Sequence, residues 1–112
     1  MMDMVLRDEI NNLHASFCKG LADPNRLYLL YTLNEKPCTV NELSEKLGLA
    51  QPTVSRHLRI LRERNMVIDT RQGQSVLYAL ADERIIEALD LLRGVMSTQL
   101  QRRIPIAQAI DK

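Results

Sequence analysis

Apolar residues recur at three- and four-residue intervals through most of the chain, and one short region breaks that rhythm. Val5, Leu6, Ile10, Leu13, Phe17 and Leu21 mark an amphipathic first helix within residues 4–21. Asp23-Pro24 signals a second helix start, with aspartate as N-cap and proline in the first turn. Its body, NRLYLLYTLNEK, is apolar on most sides through Leu27, Leu29, Leu30 and Leu33, as a helix central to a core should be. Pro37 separates it from the next element.

Thr39 to Asn65 reads as two short helices joined by a tight turn. Thr39 with Glu42 three residues on forms a capping box, and Val40, Leu43 and Leu47 share one face of the helix that follows. Gly48 supplies the left-handed residue that ends it, Leu49 plugs the corner, and Pro52 opens a second helix where no N–H donor is needed. In that second helix Val54, Leu58 and Leu61 form the buried stripe. Gln51, Thr53, Ser55, Arg56, Arg59 and Arg62 are expected to point elsewhere.

The period then changes. MVIDTRQ and SVLYAL are rich in β-branched and aromatic residues and flank a turn at Gln72-Gly73-Gln74, which predicts a β-hairpin. Met66, Ile68, Val76 and Tyr78 are expected to pack on the helices, with Arg71, Gln72 and Gln74 at the tip. Asp82 is the expected N-cap of a last helix running to about Arg103, before Pro105. Ile85, Ile86, Leu89, Leu92, Met96 and Leu100 stripe that helix; residues 104–112 receive no assignment.

These elements add up to a mainly α fold with a small β-hairpin: a winged helix-turn-helix of about five helices plus a two-stranded wing, in a single domain over 1–112. Short hydrogen-bonding side chains at a helix N-terminus, with arginines behind them, suit entry into a DNA major groove. The recognition helix is placed at about 51–65 and the wing at about 67–80, where Arg71 can reach phosphate or the minor groove. The hairpin and helix-turn-helix are too small to cover the apolar stripes of both terminal helices. Leu6, Ile10, Leu13, Phe17, Leu89, Leu92 and Met96 are therefore the expected contacts of a homodimer.

Net charge is only +1, which looks too small for a DNA binder until it is divided. Residues 1–50 carry minus two, residues 51–75 plus three and residues 76–112 zero. The positive charge sits where phosphates would be met. No apolar run approaches the roughly 20 residues of a membrane helix, and the N-terminus lacks the order of a signal peptide. A cytoplasmic location, with Cys18 and Cys38 as thiols, is the expectation. There is no glycine-rich phosphate loop, nucleophile–base pair or paired carboxylates at a cleft, which argues against an enzyme.

LADPNRLYLLYTL, NELSEKLGLAQPTVSRHLRILRERNMV and RQGQSVLYAL together resemble the ArsR/SmtB-type winged-helix transcriptional repressors, over roughly residues 13–95. The resemblance implies a homodimer joined through its first and last helices. Its two recognition helices would read an inverted-repeat operator and block transcription until an effector loosens the complex. Carried over position by position, Gln51, Thr53, Ser55, Arg56 and His57 would face the groove. Ala50 stands where members often have a capping serine.

The family's effector sites are where this sequence departs. The Cys-x-Cys metalloid pair falls on Thr39 and Asn41, no histidine follows His57, and the cysteine positions of persulfide sensors fall near Tyr31 and Ser97. What remains is Cys18, Cys38 and His14, the last four residues before Cys18 on the expected helix. They are the candidate ligands for a thiophilic metal or metalloid ion. The alternatives are a thiol redox switch, a regulator with no metal or redox sensing, in which Cys18 is a buried hydrophobe and Cys38 an incidental loop thiol, and a winged helix used only for protein–protein contact. Gln51, Thr53, Ser55 and Arg56 speak against the last, since such a surface would expose apolar or aromatic residues.

Overall fold

Capping chemistry sets most of the helix boundaries. In the computed structural model, which describes residues 2–111 and their side chains as far as Leu100, α1 (Met4–Asn12) begins where Asp3 accepts from the Leu6 backbone N–H at 2.7 Å. It passes directly into a π-helical stretch, Leu13–Cys18, in place of the regular helix expected there. A wide turn survives where outside donors serve its carbonyls. Arg64 does this, donating from Nη1 to the carbonyls of Ala15 at 2.7 Å and Ser16 at 3.2 Å. Neither α1 nor the π-helical stretch buries any residue.

α2 (Pro24–Glu35) opens as predicted, with the Asp23 carboxylate accepting from the Asn25 N–H at 2.8 Å and Pro24 in the first turn. Leu29, Leu30 and Leu33 are buried. α3 (Val40–Leu47) carries the full capping box: the Thr39 hydroxyl accepts from the Glu42 N–H at 3.2 Å, and the Glu42 carboxylate accepts from the Thr39 N–H at 3.1 Å. Gly48, at φ 67°, ends it. The α3–α4 corner is closed by the Ser44 hydroxyl donating to the Leu49 carbonyl. α4 (Gln51–Glu63) has Pro52 in its first turn and no side-chain cap from Ala50.

β1 (Val67–Gln72) and β2 (Ser75–Leu80) pair antiparallel, with Gln72 opposite Ser75 and Val67 opposite Leu80. Gly73, at φ 61°, takes the left-handed position of the two-residue turn. β2 is also paired on its other edge: Cys38 and Tyr78 exchange backbone hydrogen bonds at 2.9 and 2.8 Å. This register turns Val67 inward and leaves Ile68 52% exposed, the reverse of the expectation for Ile68. A slip of one residue exchanges the two faces of a strand, and the Met66 N–H bond to the Leu61 carbonyl sets the phase here.

The chain forms two compact units, residues 1–82 and 83–112. In the first, α2 packs on α3, α4 and β2, and α4 packs on α3 and β1. Leu29, Leu30, Leu43, Val54, Leu58, Leu61 and Met66 are fully buried there. The second is α5 (Arg84–Asp111). Its first turn hangs on the Glu83 carbonyl, one residue past the expected Asp82 cap. It continues beyond Arg103 and through Pro105; a proline removes one hydrogen bond and crowds the preceding turn without forbidding helix on either side. The side chains of residues 104–112 lie outside those described. Leu91, Leu92, Val95, Met96 and Leu100 are exposed on α5, whereas Ile86 and Leu89 are buried. Leu89, also expected on the dimer surface, is 9% exposed. Leu6, Ile10, Leu13, Phe17, Leu92 and Met96 are exposed.

Candidate nucleic-acid interface

α4 has two sides because its apolar positions follow the helical period. Val54, His57, Leu58 and Leu61 face inward and are buried. Gln51, Ser55, Arg56, Arg59 and Arg62 fall off that stripe and are exposed, with Thr53 half-buried at its margin. The first acidic side chain of the helix is Glu63, at its last residue. The outer face thus combines an amide and hydroxyls near the helix N-terminus with three arginines over the next two turns.

The wing extends that surface. Arg71, Gln72, Gly73 and Gln74 are exposed at its tip. At its stem, Asp69 accepts from Nη1 of Arg62 at 3.2 Å, joining the hairpin to α4. Both partners are exposed enough for the pair to add little stability; it positions rather than stabilises. A groove of about 330 Å³ runs between the start of α3, at Thr39 and Asn41, and the wing, at Gln74 and Ser75. The Glu42 carboxyl at that end of α3 is held below the usual carboxylate range, first by the Thr39 backbone N–H and then by the Thr39 hydroxyl.

His57 corrects the sequence expectation. The family resemblance puts it in the groove-facing set, yet it is 5% exposed and turned toward the start of α2. Its Nδ1 lies 3.3 Å from Nη1 of Arg26, and its Nε2 lies 4.0 Å from Oδ1 of Asp23. Burial pushes its pKa below the ordinary imidazole value; Arg26 and Arg56 act in the same direction and Asp23 opposes them. A ring this enclosed, with both nitrogens turned to Asp23 and Arg26, is not placed to contact phosphate. The clue was present in the spacing, since position 57 is three residues after Val54 and four before Leu61.

Arg26 and Arg64 are the residues that the sequence reading missed. Arg26 donates from Nε to the Gly20 carbonyl at 2.7 Å and from Nη2 to the Lys19 carbonyl at 3.2 Å. With Arg64 on the carbonyls of Ala15 and Ser16, two guanidinium groups tie the end of the N-terminal helical segment to the elements around α4. Gly20 lets Arg64 and Met66 approach: a Cβ there would sit 3.0 Å from Cδ of Arg64 and from Cε of Met66. Nothing local in the sequence marks these long-range contacts.

Cys38 is buried and Cys18 exposed, the reverse of the alternative in which Cys18 is a buried hydrophobe and Cys38 a loop thiol. Cys38 is fully buried, with its thiol 3.4 Å from the Lys36 carbonyl and 3.8 Å from Nζ of Lys46. Cys18 is exposed on the π-helical stretch, as is His14. Cys38 is enclosed because its backbone completes the edge of β2. Among the described residues no group of three or more His, Cys, Asp or Glu side chains is placed to hold a metal ion. His14, Cys18 and Cys38 are not among such groups. Among the described residues, no helix is long and apolar enough to cross a membrane.

Comparison with known proteins agrees with this architecture. The profile of the bacterial regulatory proteins of the arsR family matches residues 23–69. The transcriptional regulator NmtR of Mycobacterium tuberculosis is 40% identical over 76 residues, covering 68% of this chain; the chain spans 63% of that relative's length. The biofilm growth-associated repressor of Xylella fastidiosa is 34% identical over 85 residues, covering 76% of this chain and 75% of the repressor. Among solved structures, the cadmium sensor CmtR of Mycobacterium tuberculosis matches with a TM-score of 0.60 and 40% identity over 70% of this chain and 81% of its own. The homodimeric winged helix-turn-helix domain Mb0332 of Mycobacterium bovis matches with a TM-score of 0.77 over 90% of this chain and 93% of that one; at 23% identity it speaks for the fold alone. With its winged helix-turn-helix fold and this degree of identity, the chain belongs to the arsR family of bacterial regulatory proteins.

Proposed function

We propose that this chain is a cytoplasmic, homodimeric DNA-binding transcriptional repressor that reads an inverted-repeat operator with α4 and the wing. The observation that carries the reading is the outer face of α4. Gln51, Ser55, Arg56, Arg59 and Arg62 stand exposed around a buried stripe, beside a wing tipped by Arg71 and Gln74. Amides and hydroxyls at the helix start suit base edges, and the arginines suit guanine edges and phosphates.

The dimer is supported by apolar surface. Leu6, Ile10, Leu13 and Phe17 before the core, and Leu92 and Met96 after it, are exposed in the single chain. Surface of this kind fits a protein contact. Two copies related by a two-fold axis would present two recognition helices to two half-sites about one DNA turn apart.

Release by a small effector completes the proposal. CmtR is a cadmium sensor, which makes thiophilic ions the first class to try and thiol-modifying agents the second.

The test combines selection of bound duplexes from a random pool with sedimentation and a salt titration. A two-fold-symmetric site bound by a dimer, with affinity falling steeply as salt rises, is the expected result. Each complex is then challenged with As(III), Zn(II), Cd(II) and a mild oxidant. Failure to bind any duplex at low salt, or binding indifferent to salt, refutes the reading.

A further inference from the structure

We propose that His57 is a positioning residue: its neutral imidazole, held between Asp23 and Arg26, keeps the recognition helix in its DNA-reading position, and protonation at mildly acidic pH weakens DNA binding. The inference rests on the DNA-binding reading above and adds to it a regulation that the sequence alone does not suggest.

The geometry dictates the protonation state. A guanidinium group has donors only, so Nδ1 of His57, 3.3 Å from Nη1 of Arg26, must present its lone pair. The proton of the neutral ring then sits on Nε2, facing the Asp23 carboxylate at 4.0 Å. Arg26 is anchored elsewhere, on the carbonyls of Gly20 and Lys19. Asp23 is committed as the N-cap of α2, accepting from the Asn25 N–H at 2.8 Å. The charged groups that bear on the ring are Asp23 and Arg26 from α2 and Arg56 from its own helix.

A second proton on the ring would replace an accepted hydrogen bond by two donors facing one another, with two cations side by side in a buried site. Asp23 offsets only part of this, and burial with the two arginines outweighs it. Relief requires His57 to move, and the residues just before it on α4, Ser55 and Arg56, lie on the outer face. The packed arrangement is thus complete above the ordinary imidazole range near pH 6.5 and is lost as pH falls below it. A histidine touching phosphate would behave in the opposite way, gaining charge and binding more tightly in acid.

The experiment measures fluorescence anisotropy of the full chain on the duplex that wild type selects at pH 7.5, from pH 8 to 5 at constant ionic strength. Nitrogen-15 histidine NMR and circular dichroism are recorded alongside. Wild-type affinity should weaken by about tenfold between pH 7.5 and 5.5 while the fold persists. His14→Gln should show the wild-type profile; His57→Gln should bind more weakly at pH 7.5 with its pH dependence flattened. The NMR should show the Nε2–H tautomer for His57, and this decides the protonation geometry even where H57Q fails to fold. Tighter binding in acid, an Nδ1–H tautomer, or weakening that coincides with global unfolding overturns the proposal. If no duplex is bound at pH 7.5 but the Nε2–H tautomer is seen, the DNA-binding reading has failed, the coupling to DNA fails with it, and the Asp23–His57–Arg26 cluster stands.

Discussion

Arg56→Gln tests the docking surface most directly, because its effect can be worked out from the positions of the arginines. Arg56, Arg59, Arg62 and Arg71 are exposed on α4 and the wing. A dimer would present them twice, so about eight phosphate contacts give a slope of log affinity against log salt of about −7 at full engagement. Raising salt from 50 to 200 mM would then cost about 10⁴ in affinity. Arg56→Gln removes two of these charges per dimer, and the slope should fall to about −5 and the cost to about 10³. The neighbouring Asp69 sharpens the test. It holds Arg62 at 3.2 Å and places a negative charge beside the phosphate path, so Asp69→Asn should bind more tightly and more steeply with salt. The assay is anisotropy on a fixed duplex at four or more salt concentrations. An Arg56→Gln protein with wild-type affinity and slope would mean that α4 docks through another face, and the assignment of Gln51, Thr53 and Ser55 to the groove would fall with it.

Three further outcomes follow from the packing. Leu92→Glu, on the exposed stripe of α5, should yield a folded monomer by sedimentation, while Leu89→Glu, at a position 9% exposed, should lose the fold instead; a stable dimer of the Leu92 variant would remove α5 from the interface. Thr39→Ala breaks the capping box of α3 and should lower unfolding stability by about 1 kcal/mol in urea titration, and an unchanged midpoint would show that another contact holds α3 in place. Glu42→Gln keeps an acceptor for the Thr39 N–H but cannot titrate. Because hydrogen bonding holds the Glu42 carboxyl low, its contribution is present above about pH 4.5 and is lost as pH falls through the lower folded value. The variant should therefore unfold less steeply in acid than wild type, and equal acid profiles would exclude Glu42 as a contributor.

What the sequence by itself determined was local. Asp23-Pro24, the Thr39/Glu42 capping box, Gly48 and Pro52 act through backbone groups within four residues, so the starts of α2, α3 and α4 and the stop of α3 were legible without any fold. The same holds for the two-residue turn at Gly73, whose φ of 61° is costly for a residue with a Cβ. Periodicity separated the two sides of α4, and only the polarity of His57 kept it from the inward side where its spacing puts it. Other features depended on contacts distant in the chain. Burial pushes the His57 pKa below the ordinary imidazole value, and Arg26, 31 residues away in the chain, acts in the same direction. Cys38 is buried because Tyr78 pairs its backbone, the π-helical stretch is served by Arg64 from the far end of α4, and Val67 rather than Ile68 faces inward because the hairpin enters from Met66 in that phase. A local pattern can say where an element begins and which stripe is apolar. Which polar group meets which, and hence what is charged and what is covered, is decided only when elements far apart in the chain are packed together.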